Sequence, residues 1–518
     1  MTNSVAQLLA DAARDLPDET ALVDATSGRR LTWRELDADV DAVAAGLGEQ
    51  GLVAGYRVVV AMGNRIEFVT AYLGTLRAQL VAVPINPRST GAEIAHVLTD
   101  CGARVVLADG SCVDAVRDAM TERGDVPAPR VFVVDADPVG DERPWADLPV
   151  ESAGALPAPL DREALAALLY TSGASGRPRG AMLTHRALLA NIEQIAAVEP
   201  PMLAPGDVVL GLLPLFHVYG LNAVLGATLR MRARLVLTDG FHPTGTLDLV
   251  EDEAISVLPV APPVFPSWLA LDDLAERFGP VRVVLSGSAT MPAETVEEFQ
   301  AKAKVPLHQG YGLTEAAPVV TSTLCQPEPT LGSLGAVLPG VGLRLKDEDG
   351  HPPEGSDPGD VEIRGDNLFS GYWPDGDEAP DEDGWWPTGD VGFLEPDGAL
   401  TLVDRRKNLV VVSGFNVYPS EVEEAIGEVA GVSAAAVVGA PDEATGEAVV
   451  AYVVSTGDPA QVEQAVREHA ATRLARFKQP TTIHVVDELP LTVTGKVQRG
   501  RLRAAARRLA APLVEEPR

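Results

Sequence analysis

The stretch LLYTSGASGRPRGAMLTH, residues 168–185, combines small, hydroxylated and basic residues in a way that could bind phosphate. Successive backbone N–H groups in a glycine-rich turn can form a concavity that binds anions. The common nucleotide loop G-x-x-x-x-G-K-[ST] is absent, because no Gly-Lys-Ser/Thr follows the glycines. The alternative is a surface loop without a ligand. The residues that could contact phosphate are Thr171, Ser172, Gly173, Ser175, Gly176, Arg177 and Arg179.

A second stretch, HQGYGLTEAAPVV at 308–320, has a tyrosine between two glycines and a carboxylate beside a hydroxyl. We expect the glycines to leave one face of the Tyr311 ring open to a flat ligand such as adenine. A carboxylate near phosphates is repulsive unless a cation lies between them, and Mg²⁺ held by one carboxylate and by substrate phosphates is the usual solution. Glu315 is therefore a candidate magnesium ligand, with the Thr314 hydroxyl beside it. The alternative is a loop at a strand end with Glu315 in solvent.

Two isolated residues, Asp390 and Lys496, stand in sequence contexts that could serve a nucleotide. Asp390, in WWPTGDVG, is predicted to lie in a tight turn and could accept hydrogen bonds from both hydroxyls of a ribose. Lys496, in LPLTVTGKVQRG, is one of only six lysines in the chain, where arginine is the usual cation. Each of these two signals is weak by itself.

The composition excludes several classes of function. The 518 residues include 41 Lys and Arg against 74 Asp and Glu, a net charge of −33, which repels nucleic acids and anionic membranes. Three scattered cysteines without a C-x-x-C predict neither a disulfide framework nor a zinc site. The N-terminus does not resemble a signal peptide, and no apolar run approaches the ~18 residues of a membrane span. We therefore expect a cytoplasmic protein; the sequence predicts no particular oligomeric state.

Short apolar strands alternate with helical patterns over most of the chain, which predicts an α/β fold with parallel sheets covered on both faces. From about residue 335 the frequent Gly, Pro and Asp predict a small β-rich subdomain, 335–403, at the end of an N-terminal domain, 1–403. A boundary is predicted at 404–407, followed by a compact α+β domain, 408–518. Within DRRKNLVVVSGFNVYPSEVEE, Ser420 with Glu423 three residues later predicts a helix N-cap.

The motifs together resemble the adenylate-forming superfamily, which includes acyl-CoA synthetases, aryl-CoA ligases and luciferases. The resemblance covers essentially the whole chain and rests on YTSGASGRPRGAMLTH, QGYGLTEAAPVV, TGD, DRRKN, SGFNVYP and TGKVQR. It implies a large N-terminal α/β domain and a mobile C-terminal α+β domain. It also implies two steps: a carboxylate attacks the α-phosphorus of MgATP to give an acyl-adenylate and pyrophosphate, and the thiol of coenzyme A then displaces AMP.

The resemblance further implies roles for single residues. The 171–179 loop would hold the β- and γ-phosphates, Glu315 would bind Mg²⁺, and Lys496 would reach both the attacking carboxylate and the α-phosphate. Lys407 would be the hinge about which the C-terminal domain rotates between the two steps. The implied catalytic residues are Lys496, Thr314, Glu315 and His217. The implied ATP and AMP ligands are Thr171, Ser172, Gly173, Ser175, Gly176, Arg179, Ser288, Gly310, Tyr311, Gly312, Asp390 and Arg405. The implied pantetheine contacts are Ser413, Gly414 and Phe415.

One residue departs from the family pattern. The phosphate loop usually ends in Pro-Lys-Gly, but here it ends in Pro178-Arg179-Gly180. The charge is kept, although a planar guanidinium does not place it where an ammonium would. The departure bears on ATP affinity or rate and leaves the reaction class unchanged.

The acid is less well specified. The predicted pocket is mostly small and apolar, which disfavours a dicarboxylate and favours a medium- or long-chain fatty acid. FHVYGLN is also similar to the hydroxycinnamate ligases, so a 4-coumarate or other aryl-CoA ligase is an alternative. Two further alternatives are transfer to an acyl carrier protein in place of CoA, and a non-catalytic ligand-binding member. The predicted lining is His217, Tyr219, Gly310, Gly312, Ala316, Ala317, Pro318 and Val319.

Overall fold

The computed structural model describes residues 3–122, 127–150, 161–172, 178–289, 291–347, 349–353, 357–405, 408–412, 415–442, 445–492 and 495–510. They fall into two compact units. The first comprises Met1–Gly342, Ile363–Trp386 and Asp397–Ala399. The second comprises Leu343–Glu362, Pro387–Pro396 and Leu400–Arg518. The domain limits expected from the sequence stay a prediction.

The strands in chain order are β1 (Thr20–Asp24), β2 (Arg30–Thr32), β3 (Arg57–Ala61), β4 (Val81–Ile85), β5 (Val105–Asp109), β6 (Arg130–Val134), β7 (Arg143–Pro144), β8 (Leu165–Ser172), β9 (Pro178–Thr184), β10 (Val208–Gly211), β11 (Arg234–Leu237), β12 (Val257–Val260), β13 (Val283–Ser286), β14 (Leu307–Gly312), β15 (Val319–Ser322), β16 (Ala336–Val337), β17 (Gly342–Lys346), β18 (Gly359–Arg364), β19 (Trp385–Leu394), β20 (Leu400–Arg405), β21 (Val410–Val412), β22 (Phe415–Val417), β23 (Val432–Asp442), β24 (Gly446–Ser455) and β25 (Thr482–Val486).

The α-helices are α1 (Val5–Asp15), α2 (Trp33–Glu49), α3 (Ile66–Arg77), α4 (Gly91–Cys101), α5 (Val113–Glu122), α6 (His185–Ala196), α7 (Ala227–Met231), α8 (Pro243–Asp252), α9 (Phe265–Leu269), α10 (Leu274–Arg277), α11 (Ala293–Ala303), α12 (Pro419–Gly427), α13 (Pro459–Arg473) and α14 (Arg499–Ala510). A π-helical segment spans Tyr219–Gly226. In the described part of the chain, no helix combines the length and the apolar character that crossing a membrane requires.

Two large sheets organise the first unit. One has seven strands in the order β7-β6-β5-β3-β4-β8-β9, and the other has nine in the order β16-β15-β14-β13-β12-β10-β11-β1-β2. The apolar strands pair in parallel as expected, with β3 between β4 and β5, and β12 between β10 and β13. The carboxyl ends of parallel strands are the usual place for a ligand site. The antiparallel pairs β8–β9 and β14–β15 follow at two such ends.

The smaller sheets lie later in the chain. Strands β17-β18-β19-β20 form a four-stranded sheet, which confirms the β-rich character expected after about residue 335. In the second unit, β22-β21-β24-β23 form a sheet whose strand β24 also pairs with β25. Helices α12 and α13 bury apolar residues such as Val422, Ile426 and Val466 in the core beside this sheet.

Helix α11 begins at Ala293, and Pro292 occupies its N-cap position. One helix start differs from the sequence expectation. Ser420 was expected as an N-cap, but α12 begins at Pro419 after Tyr418. The Ser420 hydroxyl instead donates to the Val403 carbonyl oxygen within the second unit. Proline is favoured at the first helical position because its missing N–H would have had no partner there, so Pro419 begins the helix two residues before the start that an N-cap at Ser420 predicts.

Candidate active site

The two arms of the predicted phosphate loop are adjacent strands of the seven-stranded sheet. β8 and β9 pair antiparallel, with Thr171 opposite Arg179 and Ser172 opposite Pro178. The register therefore brings Thr171 and Arg179 together at the ends of the two arms. Gly173, Ser175 and Gly176, as well as Arg177, lie outside the described residues. Their proposed contacts with phosphate rest on the sequence alone.

Arg179 is engaged by two neighbours in the first unit. Its two terminal guanidinium nitrogens donate to the two carboxylate oxygens of Glu378 at 2.6 and 3.1 Å. Its guanidinium carbon lies 3.7 Å from the centroid of the Tyr372 ring, in a cation–π contact. Hydrogen bonding to Glu378 raises the pKa of Arg179 and lowers that of Glu378. The planar fork of arginine suits both contacts, whereas lysine could not make the bidentate pair.

Gly310 and Gly312 permit a close return of the backbone from β14 to β15. A Cβ on Gly310 would lie 2.7 Å from the Thr321 carbonyl oxygen, and one on Gly312 would lie 2.2 Å from that of Pro318. Neighbouring residues of a strand face opposite sides of the sheet. The glycines therefore do not uncover the Tyr311 ring, which is buried. The expectation of an exposed ring face is wrong, and adenine stacking on Tyr311 stays a prediction.

Glu315 is a buried carboxylate, only 8% exposed, in the 3₁₀ turn Thr314–Ala316. Its Oε1 accepts a hydrogen bond from the Tyr372 hydroxyl at 2.7 Å, and its carbonyl oxygen accepts one from the Phe369 N–H at 2.9 Å. The alternative of a solvated Glu315 is therefore wrong. Burial first, and then the Glu315 charge, raise the pKa of Tyr372, so the hydroxyl stays a hydrogen-bond donor at neutral pH.

The surroundings of Glu315 fit a magnesium ion shared with a substrate. Within the described ranges, no group of three or more His, Cys, Asp or Glu residues could hold a metal. Mg²⁺ usually takes one or two protein carboxylates and completes its shell with phosphate and water oxygens, so Glu315 could hold the ion together with the phosphates of a bound nucleotide. The Glu315 carboxylate supplies the hard oxygen that this ion prefers.

Tyr219 and His217 lie together at the start of the π-helical segment. The Tyr219 hydroxyl donates to the Leu285 carbonyl oxygen at 3.4 Å, and the Nδ1 atom of His217 accepts from the Tyr219 N–H at 3.4 Å. A Cβ on Gly287 would lie 2.8 Å from Cε1 of Tyr219, so this glycine makes room for the ring. Ser288 follows in the left-handed region, with φ +76°. π-Helical segments occur often at functional sites.

The predicted pocket wall, Ala316–Val319, is fixed by two buried asparagines that the sequence reasoning missed. Asn222, on the π-helical segment, donates to the Ala317 carbonyl oxygen at 2.6 Å. Asn191, on α6, donates to the Val319 carbonyl oxygen at 2.7 Å and accepts from the Val319 N–H at 3.0 Å. The structure therefore brings the Tyr219 segment and the wall residues together. The one sequence signal for Asn222 was the segment FHVYGLN, which ends at this residue.

The predicted ribose ligands are strand residues of the second unit. Asp390 lies within β19 and pairs in register with Arg405 of β20, and its side chain is buried. The expectation of a tight turn at Asp390 is wrong, although the preceding Gly389 has φ +73°. The register places the two residues side by side, as a shared ligand would require.

Lys496 is exposed in a turn of the second unit. The turn is closed by the Thr492 N–H, which donates to the Lys496 carbonyl oxygen at 2.7 Å, and by the Lys496 N–H, which donates to Thr492 Oγ1 at 3.0 Å. Lys407, Ser413 and Gly414 lie outside the described residues, and Phe415 begins β22. The hinge and the pantetheine contacts stay predictions.

The chain matches two family models: an AMP-binding enzyme over residues 9–373, and an AMP-binding enzyme C-terminal domain over residues 421–496. The chain belongs to the AMP-binding enzyme family. This confirms the resemblance to adenylate-forming enzymes, the α/β fold class and the predicted class of AMP-forming acid–thiol ligase. ATP, Mg²⁺ and coenzyme A are accordingly the substrates and cofactor to be expected of this family member.

Three relatives illustrate the match. A 4-coumarate–CoA ligase of Oryza sativa subsp. japonica is 34% identical over 95% of this chain and 92% of its own length. A long-chain-fatty-acid–CoA ligase of Bacillus subtilis is 32% identical over 96% of this chain and 93% of its own. The crystal structure of ATP-bound MatB from Rhodopseudomonas palustris is 32% identical, covers 98% of this chain and 100% of its own, and superimposes with a TM-score of 0.87.

Proposed function

We propose that this family member converts a medium- or long-chain fatty acid, ATP and coenzyme A into an acyl-CoA, AMP and pyrophosphate. The observation that carries the proposal is the buried Glu315 carboxylate in the turn after β14, held by Tyr372 in the same unit as the phosphate-loop arms. A carboxylate is a poor electrophile because its leaving group would be oxide. Converting it to a mixed anhydride with AMP supplies a good leaving group.

In the first step, the barrier is the crowding of negative charge at the α-phosphorus, and fixed cations and donors relieve it. The loop that joins β8 to β9 would hold the β- and γ-phosphates, with Thr171 on its first arm. Thr314 would donate to the α-phosphate, while Asp390 and Arg405 would hold the ribose. Mg²⁺ held by Glu315 and the phosphates would neutralise part of the charge. Lys496 would pair with the incoming carboxylate and the α-phosphate, a role that suits an ammonium group on a flexible stem.

In the second step, the CoA thiol attacks the acyl carbonyl carbon of the adenylate, and the carbon–oxygen bond to AMP breaks. Lys407 would act as the hinge of a rotation that removes Lys496 and brings the segment of Ser413, Gly414 and Phe415 to the pantetheine arm. This exchange lets one site serve two half-reactions whose charge requirements differ.

The fatty acid is supported by the apolar lining and by the long-chain-fatty-acid–CoA ligase relative. A hydroxycinnamate is the second candidate, favoured by the 4-coumarate–CoA ligase relative and by Tyr219, whose ring could meet an aromatic acid. The two differ in whether Tyr219 ends an aliphatic tunnel or packs against a substrate ring.

One incubation distinguishes these acids. The enzyme, MgATP and CoA are mixed with pooled acids from acetate to stearate, together with malonate, benzoate and hydroxycinnamates, and the products are identified by mass spectrometry. Aliphatic thioesters that peak at one chain length support the proposal. Cinnamoyl thioesters would replace it by the second candidate. Acyl-adenylate without any thioester would make an acyl carrier protein the acceptor in place of CoA, and no product of either kind would favour a non-catalytic ligand-binding member.

A further inference from the structure

One backbone segment of the first unit, Phe369–Trp373, links the second arm of the phosphate loop to the turn that carries Glu315. The Phe369 N–H donates to the Glu315 carbonyl oxygen at 2.9 Å. Further along, the Ser370 N–H donates to the Met182 carbonyl oxygen at 2.9 Å, and the Trp373 N–H donates to that of Gly180 at 2.8 Å. The segment thus runs beside β9 as an additional short partner and joins β9 to the Glu315 turn through backbone hydrogen bonds.

The side chains repeat this connection. The Tyr372 hydroxyl donates to Oε1 of Glu315 at 2.7 Å, while the face of its ring carries the Arg179 guanidinium at 3.7 Å. Arg179 is in turn fixed by its bidentate pair with Glu378. We name these four residues, Glu378, Arg179, Tyr372 and Glu315, the tyrosine relay. The sequence reasoning assigned no role to Tyr372 or Glu378.

The physical effect of the relay is to hold one oxygen of Glu315. Within the part of the chain that the structure describes, the Tyr372 hydroxyl donates a hydrogen bond to the Glu315 carboxylate. With Oε1 occupied, the other oxygen is left for a cation, and the carboxylate cannot rotate freely in its buried turn. Donors that orient metal-ligating carboxylates are a general feature of metal sites, and their removal typically costs 10–100-fold in metal affinity.

We propose that Arg179 and Tyr372 are positioning residues that orient Glu315 toward the magnesium of MgATP, and that Arg179 acts through Tyr372 rather than as a phosphate ligand. The proposal rests on the proposed role of Glu315 as the magnesium ligand. It explains why arginine is suited to position 179: a lysine would keep the charge but could neither form the bidentate pair nor lay a planar group on the ring.

The rival interpretation makes Arg179 a direct ligand of the ATP phosphates. Both of its terminal nitrogens already donate to Glu378, and its Nε is buried without a hydrogen-bond partner in the part of the chain that the structure describes. A phosphate would therefore compete with the Glu378 carboxylate. The two interpretations differ in what magnesium contributes: a direct ligand binds the nucleotide with or without metal, whereas a positioning residue strengthens only the metal complex.

The test is calorimetric titration of the full-length enzyme with α,β-methylene-ATP, once with Mg²⁺ and once with EDTA. The ratio of the two dissociation constants gives the contribution of magnesium. For Tyr372→Phe, which removes one hydroxyl, we expect this contribution to fall about 10-fold, with metal-free binding unchanged. Arg179→Lys should cause a smaller loss of the same kind. Tyr170→Phe is the matched control, because Tyr170 donates to a different carboxylate, Asp100, at 2.5 Å.

The outcomes separate this inference from the proposed function. Glu315→Gln should remove most of the magnesium contribution, and if it does not, Glu315 is not the metal ligand and both proposals fail. If Glu315→Gln has that effect but Tyr372→Phe matches wild type, the relay alone is wrong. If Arg179→Lys weakens binding of the ATP analogue equally with Mg²⁺ and with EDTA, Arg179 is a direct phosphate ligand. Thermal unfolding of each variant checks the fold, and Glu378→Gln replaces Tyr372→Phe if the latter is unstable.

Discussion

Replacing Lys496 by alanine should separate the two half-reactions. Lys496 is exposed in a turn whose two hydrogen bonds to Thr492 involve the backbone of residue 496 and survive the substitution. Exposed substitutions usually change the free energy of unfolding by less than about 0.5 kcal/mol. We therefore expect a change in Tm of no more than about 2 °C for a chain of this size. Any larger effect on activity can then be attributed to chemistry.

The expected catalytic loss follows from the charge that Lys496 would neutralise. Removing one fixed donor from a transition state that accumulates negative charge typically costs about 10²–10³ in rate, which corresponds to roughly 2.7–4 kcal/mol. In the proposed mechanism this loss falls entirely on adenylation, because the thiol attack on the adenylate takes place after Lys496 has left. We expect thioester formation from supplied acyl-adenylate to change by less than about threefold, or roughly 0.7 kcal/mol.

The two half-reactions can be measured independently. Acid-dependent exchange of pyrophosphate into ATP reports adenylation, and acyl-CoA formed from synthetic acyl-adenylate and CoA reports thioester formation. Arg501→Ala, which removes an exposed cation from α14 in the same unit, is the matched control and should leave both rates near wild type. Equal loss of the two rates in Lys496→Ala, or retention of adenylation, would refute the division of labour proposed for this lysine.

Three other substitutions test the pocket, the hinge and the core. Tyr219→Ala should shift the preferred acid toward longer chains in a competition assay, because it removes the ring that packs against the Leu285 strand; an unchanged product profile would remove Tyr219 from the pocket. Lys407→Pro should abolish thioester formation and spare pyrophosphate exchange, and an unimpaired thioester rate would exclude a hinge there. Asp207→Ala breaks the 2.5 Å ion pair with Arg282, which is 35% exposed. We expect the free energy of unfolding to fall by about 2 kcal/mol and Tm to fall with it. The control Asp18→Ala should change both quantities little, because its ion pair with an arginine is exposed and contributes little to stability.

The sequence predicted the elements whose patterns are local. Apolar runs such as YRVVVAMG and VRVVLSGS are buried on both faces and pair in parallel, because only strands covered by helices on both sides tolerate such runs. The sequence also pointed to Gly310 and Gly312, but it did not reveal why glycine is needed at these two positions. Gly310 and Gly312 were expected to expose a ring, whereas they admit the backbone of β15, which follows them in the chain. A close approach between two backbones leaves no signature other than the glycines themselves.

The contacts that fix the site come from residues far apart in the chain. Asn191 and Asn222 hold the pocket wall from α6 and from the π-helical segment, and an asparagine within an apolar stretch carries no sign of its partner. Asp390 was assigned to a turn because TGD often forms one. The register of β19 with β20 overrides that local preference by pairing Asp390 with Arg405. Residues adjacent in the sequence give no information about tertiary pairing of this kind.

Position 179 shows how a structure changes the interpretation of a substitution. The sequence alone indicates that Arg179 keeps the positive charge of the family's usual lysine but places it at a slightly different point. The structure gives that arginine two partners, Glu378 and Tyr372, both of which depend on the planar, forked guanidinium. Restoring the family's lysine at position 179 would keep the charge and lose the bidentate pair, leaving Tyr372 less firmly held against Glu315. If the relay acts as proposed, the residue typical of the family should therefore be the worse one in this chain.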